Sequence, residues 1–261
     1  MPTALITGAS RGIGRELALG LAQRGYDLLV VARSESQLQA LAREVQATHQ
    51  RQTHVLALDL TQPDAASQVA TWANQHAPSG LAALINNAGY GLWGRFEQLS
   101  LEEQMNMLQL NLTLPVQLTY ALLPQLRQAP RGYILNVAST AAYQAVPSLT
   151  VYAASKAFVL SFSRGLRYEL KDTSISVTCL SPGATTTDFT SRAGMGIELQ
   201  AVANKVSMTP AAVAAAGLQA LFAGSAEFIP GALNKVSAGL TSVVPKSIVE
   251  KIAAGIYEKY L

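Results

Sequence analysis

Thr3-Ala-Leu-Ile-Thr-Gly-Ala-Ser-Arg-Gly-Ile-Gly14 is the stretch on which the reading of the fold turns. Thr3 to Thr7 form a short apolar run that predicts a buried strand, and Arg15 to Arg24 carry a helical pattern. A glycine pattern alone is equally well a tight turn. Strand, glycine-rich turn and helix in succession turn such a loop into a nucleotide site. Gly8, Gly12 and Gly14 allow positive φ and close approach of the backbone to a pyrophosphate. The helix that follows directs its free N–H groups at the anion. Ser10, Arg11 and Ile13 complete the loop.

Outward from this stretch the chain alternates. Strands are expected at Asp27–Ala32, Thr53–Leu58, Leu81–Ile85, Gly132–Ala138 and Ser174–Leu180. Helices are expected from Ser34, as cap, to about Thr48, over Asp64–His76, from the cap Ser100 to about Gln128, and over Val151–Leu170. Short apolar strands alternating with helices imply right-handed crossovers and a parallel sheet covered on both faces. The predicted class is therefore α/β, a doubly wound (Rossmann) sheet whose ligands bind beyond the carboxyl ends of the strands.

The chain has 261 residues, enough for one large domain, with residues 223–261 as a C-terminal helical extension of it. It is 49% hydrophobic and 13% charged, and its net charge of +3 is scattered, which argues against a nucleic-acid partner. A single cysteine, Cys179, excludes an intramolecular disulfide and fits a small core residue in a reducing compartment. The first strand leaves no room for a signal peptide, and no apolar run of about 20 residues suggests an integral membrane segment, so the expected location is cytoplasmic. His49, His54 and His76 have no clustered Cys or carboxylate neighbours, so no metal site is expected.

Tyr152 and Lys156 stand at i and i+4, on one face of the expected helix, thirteen residues after Ser139. A free phenol titrates near about 10, too high to exchange protons well near neutrality. A neighbouring cation favours the phenolate. Ser139 lies just past a strand end, where it can hydrogen-bond and polarise the same carbonyl; read by itself it is a turn or cap serine.

Taken together, Thr7-Gly-Ala-Ser-Arg-Gly-Ile-Gly14, Asp59-Leu60, Asn86-Asn-Ala-Gly89, Asn111, Ser139, Tyr152-x-x-x-Lys156 and Pro182-Gly183 make the chain resemble the short-chain dehydrogenase/reductase family over residues 3 to about 190. The resemblance implies a nicotinamide cofactor and reversible reduction of a carbonyl to an alcohol. It implies Tyr152 as acid/base, with Lys156 also holding the nicotinamide ribose. Asn87, Ala88 and Gly89 are implied beside the adenine ribose, Asp59 with Leu60 at the adenine, and Pro182, Gly183 and Thr185 elsewhere along the cofactor. It implies a homo-oligomer too. A non-catalytic nucleotide sensor on this fold would be expected to lack part of the Ser-Tyr-Lys set, which is complete here.

Three readings remain specific to this chain. Pro115 has no N–H to give the carbonyl of Asn111, so a distortion and a free acceptor are expected there, where the family uses the matching asparagine to hold a relay water. The acid expected about 20 positions after the glycine loop in NAD enzymes is replaced by Arg33, which with Arg11 favours NADP(H) over NAD(H); Glu35 opposes this if it points inward. Three segments, Tyr90–Phe96, Ala141–Pro147 and the stretch after Gly183 through Phe189 to Met195, are rich in apolar side chains and predict a small apolar carbonyl or alcohol substrate. Phe228–Gly231 is expected as a short strand, followed by helices over Ala232–Val244 and Ser247–Leu261 that read as a packed pair, a lid or a membrane-facing surface.

Overall fold

Six short stretches rich in apolar residues, joined by the dipeptide Glu227-Phe228, pair into one sheet. The structure, a computed structural model, describes residues 1–241 and 243–257. The strands are β1 (Thr3–Thr7), β2 (Asp27–Ala32), β3 (Thr53–Ala57), β4 (Ala83–Asn86), β5 (Gly132–Val137), β6 (Ile175–Leu180) and β7 (Glu227–Phe228). Their order is β3-β2-β1-β4-β5-β6-β7 and every pairing is parallel. The order reverses between β1 and β4, the point at which a doubly wound sheet opens a crevice for a ligand.

Helices α1 (Gly12–Gln23), α2 (Glu35–His49), α3 (Ala65–His76), α4 (Leu101–Leu108), α5 (Leu114–Leu126) and α6 (Thr150–Glu169) form the crossovers. Between β6 and β7 lie α7 (Phe189–Arg192), α8 (Ile197–Lys205) and α9 (Pro210–Phe222); α10 (Ala232–Leu240) and α11 (Lys246–Tyr257) follow. Strand side chains alternate between two cores. Ala4, Ile6, Leu28 and Val30 pack with Leu17, Leu21, Leu38 and Leu218 of α1, α2 and α9. Leu5, Leu29, Leu84 and Ile134 pack with Val69, Leu118 and Leu122 of α3 and α5.

Several expectations are corrected. Ser34 precedes α2, but its hydroxyl makes no cap bond and lies 3.4 Å from the Ser36 hydroxyl. Ser100 does cap α4, accepting from Glu103 N at 3.3 Å. The single long helix expected to about Gln128 is two helices joined by a π-turn at Gln109–Thr113, in which Leu114 N–H reaches back to Gln109 O. Pro115, with no amide hydrogen, stands in the first turn of α5, so the ladder slips one residue around Asn111. Residues 196–222, assigned no element from the sequence, supply α8 and α9. The short strand is Glu227–Phe228 rather than Phe228–Gly231, because only those two residues pair with Cys179 and Leu180. Of the last expected helix, residues 258–261 lie outside the described residues.

Leu118 is fully buried on α5 and Tyr120, two residues on, is 84% exposed. Leu118→Ala is expected to lower the unfolding free energy by about 2–5 kcal/mol. Tyr120→Ala should change it by less than about 0.5 kcal/mol. Urea denaturation of the two variants measures the contrast.

Candidate active site

The glycine loop closes on the end of β4 because side chains are missing where the two meet. Gly8 and Gly12 have φ of +69° and +56°. A Cβ on Gly14 would collide with the Gly8 carbonyl and the Asn87 amide, and that carbonyl is backbone, which cannot turn aside. Asn87 Nδ2 donates to Thr7 O at 2.9 Å and Gly8 O at 3.2 Å, while Thr7 Oγ1 accepts from Asn87 N and Ala88 N, both at 3.1 Å. Asn86 points the other way, donating to Asn136 Oδ1 at 2.8 Å inside the sheet. A cavity of about 500 Å³ opens beyond these strand ends. Gly8, Ser10, Arg11, Gly12, Ile13 and Gly14 border it, as do Arg33, Asp59, Leu60, Asn87, Ala88, Gly89, Pro182, Gly183 and Thr185. Bare glycine backbone beside a helix start is the donor set a dinucleotide phosphate needs, so these residues fit the nicotinamide cofactor.

Charge is concentrated at the β2 and β3 end. Burial by itself raises the Asp59 pKa, but hydrogen bonds from Thr61 N–H and hydroxyl and the Arg33 charge outweigh it and leave the carboxyl below its usual value. Arg33 and Ser34 are on the cavity wall; Glu35 is exposed and not on that wall, which removes the objection it raised. Arg11 differs from expectation: its Nη1 donates to Asp188 Oδ2 at 2.7 Å, across the cavity mouth, with both side chains about half exposed. The sequence could not show this partner, which is 177 positions away.

The reactive end is built from the end of β5 and one face of α6. Tyr152 and Lys156 are buried one above the other on α6 and both border the cavity. Lys156 Nζ donates to Val137 O at 3.0 Å and lies 5.8 Å from the Tyr152 ring centroid. Burial pulls the Lys156 pKa down to about 8. Ser139 is on the same wall, and its oxygen accepts from Ala141 N at 3.1 Å, leaving the hydroxyl hydrogen to donate elsewhere. Asn111, expected among these residues, is 1% exposed and stands behind the wall rather than on it. Its side chain donates to Tyr90 O at 2.9 Å and Ser155 Oγ at 3.1 Å and accepts from Tyr90 N at 3.1 Å.

The expected substrate segments divide. Of Tyr90–Phe96 only Tyr90 reaches the cavity. Leu92 and Trp93 pack inward with Met107 and Leu149, in a segment tied down by Trp93 N to Ala193 O at 2.8 Å and Gly94 N to Ser148 O at 2.9 Å. Ala141, Gln144 and Val146 line the cavity, whereas the Tyr143 hydroxyl donates to Glu227 Oε1 at 2.7 Å and lies 3.0 Å from Ser181 Oγ, from which it accepts. Phe189 and Met195 line it, Phe189 with its ring 5.2 Å from that of Tyr152. The sequence reading missed α8 (Leu199, Val202) as a wall, while Ser237 and Ala238 of α10, with Thr241 just after it, border the cavity as one of the readings of that helix, a lid, expected. A Cβ on Gly183 would lie 2.5 Å from Asn234 Oδ1, so α10 also rests directly on a cofactor-side loop.

A family model described as short chain dehydrogenase matches residues 2–197. An uncharacterised oxidoreductase of Myxococcus xanthus is 36% identical over 72% of this chain and 74% of its own. A short-chain dehydrogenase of Sphingobium yanoikuyae, solved in complex with NADPH, superposes with a TM-score of 0.81 at 33% identity over 95% of this chain and 98% of its own. A bulky-bulky ketone specific alcohol dehydrogenase of Comamonas testosteroni does so at 0.76 with 31% identity, over 95% and 96%. The chain belongs to the short-chain dehydrogenase/reductase family. It is an oxidoreductase on the nicotinamide-binding fold of that family, and no helix among the described residues is long and apolar enough to cross a membrane.

The depressed Lys156 pKa sets a pH dependence of stability. Below pH 8 the amine is charged in both the folded and the unfolded chain, and its burial lowers stability by a constant amount. Between about 8 and the ordinary value of 10.5 the unfolded chain holds a proton the folded chain has released, so stability rises with pH. Lys156→Met lacks that rise. The wild-type minus variant difference in unfolding free energy is expected to shift by about 3 kcal/mol towards the wild type from pH 8 to 10.5. Urea titrations across that range test it, and a flat difference contradicts the buried-amine assignment.

Proposed function

We propose that the protein is an NADP(H)-dependent carbonyl reductase that interconverts an apolar ketone or aldehyde and its alcohol. The observation that carries the reading is a shared wall. Ser139, Tyr152 and Lys156 border one cavity with the glycine loop and with the apolar side chains of Val146, Phe189, Met195 and Leu199. The nicotinamide supplies or accepts the hydride when bound. In reduction Tyr152 gives its phenolic proton to the carbonyl oxygen, and in oxidation it takes that proton back. Lys156, cationic at neutral pH with a pKa of about 8, favours the phenolate and so eases both transfers. Ser139 orients and polarises the same oxygen through its free hydroxyl hydrogen. Apolar walls bind the substrate by burial and keep water from the reacting carbon.

Arg33 at the end of β2, without an inward acid beside it, supports NADP(H) over NAD(H), as does kinship with a structure holding NADPH. Kinship with an enzyme for bulky-bulky ketones supports a large apolar substrate. We read the chain as a cytoplasmic homo-oligomer, supported by the buried free thiol of Cys179 and by Tyr120 and Phe158 exposed on α5 and α6. Asn111 acts through its main-chain carbonyl, which Pro115 leaves without an α-helical amide partner; it holds a water between Lys156 and solvent.

Tyr152→Phe is expected to lower NADPH-dependent turnover of apolar ketones by about 10²–10⁴-fold, the usual share of an acid/base group. Calorimetric NADPH affinity should stay within a few-fold. Retained turnover would remove Tyr152 from the chemistry, and an NADH preference in the wild type would remove the charge argument. Pro115→Ala, which restores the missing N–H, should slow turnover several-fold without weakening NADPH binding; equal turnover would sink the relay.

A further inference from the structure

We propose that Arg192, on the substrate-side helix α7, is a third cofactor-binding arginine that closes with Arg33 and Arg11 over the 2′-phosphate of NADP(H). The proposal rests on the cofactor reading above and deepens it. Arg192 belongs to none of the segments from which nucleotide contacts were expected, yet it borders the same cavity as Arg11 and Arg33. Its guanidinium carbon lies 5.6 Å from the ring centroid of Tyr90, the residue that follows the Asn87–Gly89 turn. That places a cation from beyond β6 over the strand end where the adenosine half of the cofactor is read to bind.

Two features hold it there. The Arg11–Asp188 ion pair ties the glycine loop to the residue before α7, and Asp188 O accepts the Arg192 N–H at 2.9 Å, one turn later. The ion pair and the backbone of Arg192 are therefore joined through Asp188. The local charge is also unbalanced. The Arg192 pKa is lowered first by burial and then by the like charges of Arg33 and Arg11, with Tyr90 and Asp188 opposing. Of the nearby acids, Asp188 is taken by Arg11, and Asp59 accepts from Thr61. Arg192 is repelled by both Arg33 and Arg11, and a doubly charged phosphate beside them converts that repulsion into attraction. Planar guanidinium forks suit a phosphate better than any other side chain.

The arrangement links cofactor choice to the substrate wall. Phe189, on the same helix, packs on Tyr152. A phosphate that draws Arg192 inward also holds Phe189 against the reacting phenol.

The test is calorimetric titration of the wild type, Arg192→Ala, Arg192→Lys and Arg33→Ala with 2′,5′-ADP and with 5′-ADP, each variant checked by its thermal melt. Arg192→Ala is expected to weaken 2′,5′-ADP by about tenfold or more, the scale of one charge-assisted hydrogen bond, and 5′-ADP by no more than about twofold. Arg192→Lys should recover part of the loss. If Arg192→Ala weakens both ligands alike, or neither, the proposal is overturned. A wild type that binds both ligands equally overturns the NADP(H) reading itself. A wild type that discriminates, with discrimination lost in Arg33→Ala but kept in Arg192→Ala, overturns the role of Arg192 alone.

Discussion

The contact between Gly14 and Gly8 is the constraint on which the site depends. No side chain fits between the start of α1 and the end of β1, since any Cβ on Gly14 would meet the Gly8 carbonyl and the Asn87 amide. That closeness lets Asn87 reach both Thr7 O and Gly8 O, and lets the Thr7 hydroxyl accept two amides from the turn after β4. The ends of the two strands that flank the reversal of sheet order are therefore fastened to each other by side chains as well as by the ladder. The crevice beyond them has a rigid floor of backbone donors, which suits a phosphate better than mobile side chains do.

The other end of the cavity is organised around a buried cation. Lys156 is 5% exposed, and its Nζ donates to the carbonyl that ends β5. Burying a charge this way lowers stability. The fold tolerates it where Tyr152 stands one turn away, and Ser139 lies two residues beyond the same carbonyl. The π-turn at Asn111 is a second local departure from regular structure near the same residues. Its side chain ties α4 and α5 to Tyr90 and to Ser155 on α6, so the distorted turn also braces the helix that carries Tyr152 and Lys156.

Residues whose chemistry depends on local spacing were readable in advance. The glycine loop needs only a strand before it and a helix after it. Tyr152 and Lys156 share a face because a helix repeats every 3.6 residues. Even the slip at Asn111 follows from a missing N–H four residues later. Segment composition was a weaker guide. Leu92 and Trp93 looked like pocket residues but face the core, because the backbone of their loop is pinned to Ala193 and Ser148 from distant parts of the chain.

The sequence by itself determined the class of fold and nominated the strand ends and side chains proposed for ligand binding and proton transfer, since each is written in periodicity, glycine placement or side-chain type within a few positions. Only the tertiary structure decided which groups meet across the cavity. Arg11 finds Asp188 from 177 positions away, Arg192 comes to lie over Tyr90, and α8 becomes a wall of the pocket. Those contacts depend on how the segments after β6 fold back over the sheet; among them α9 packs against α1, β5 and β6, far along the chain, which no local pattern specifies.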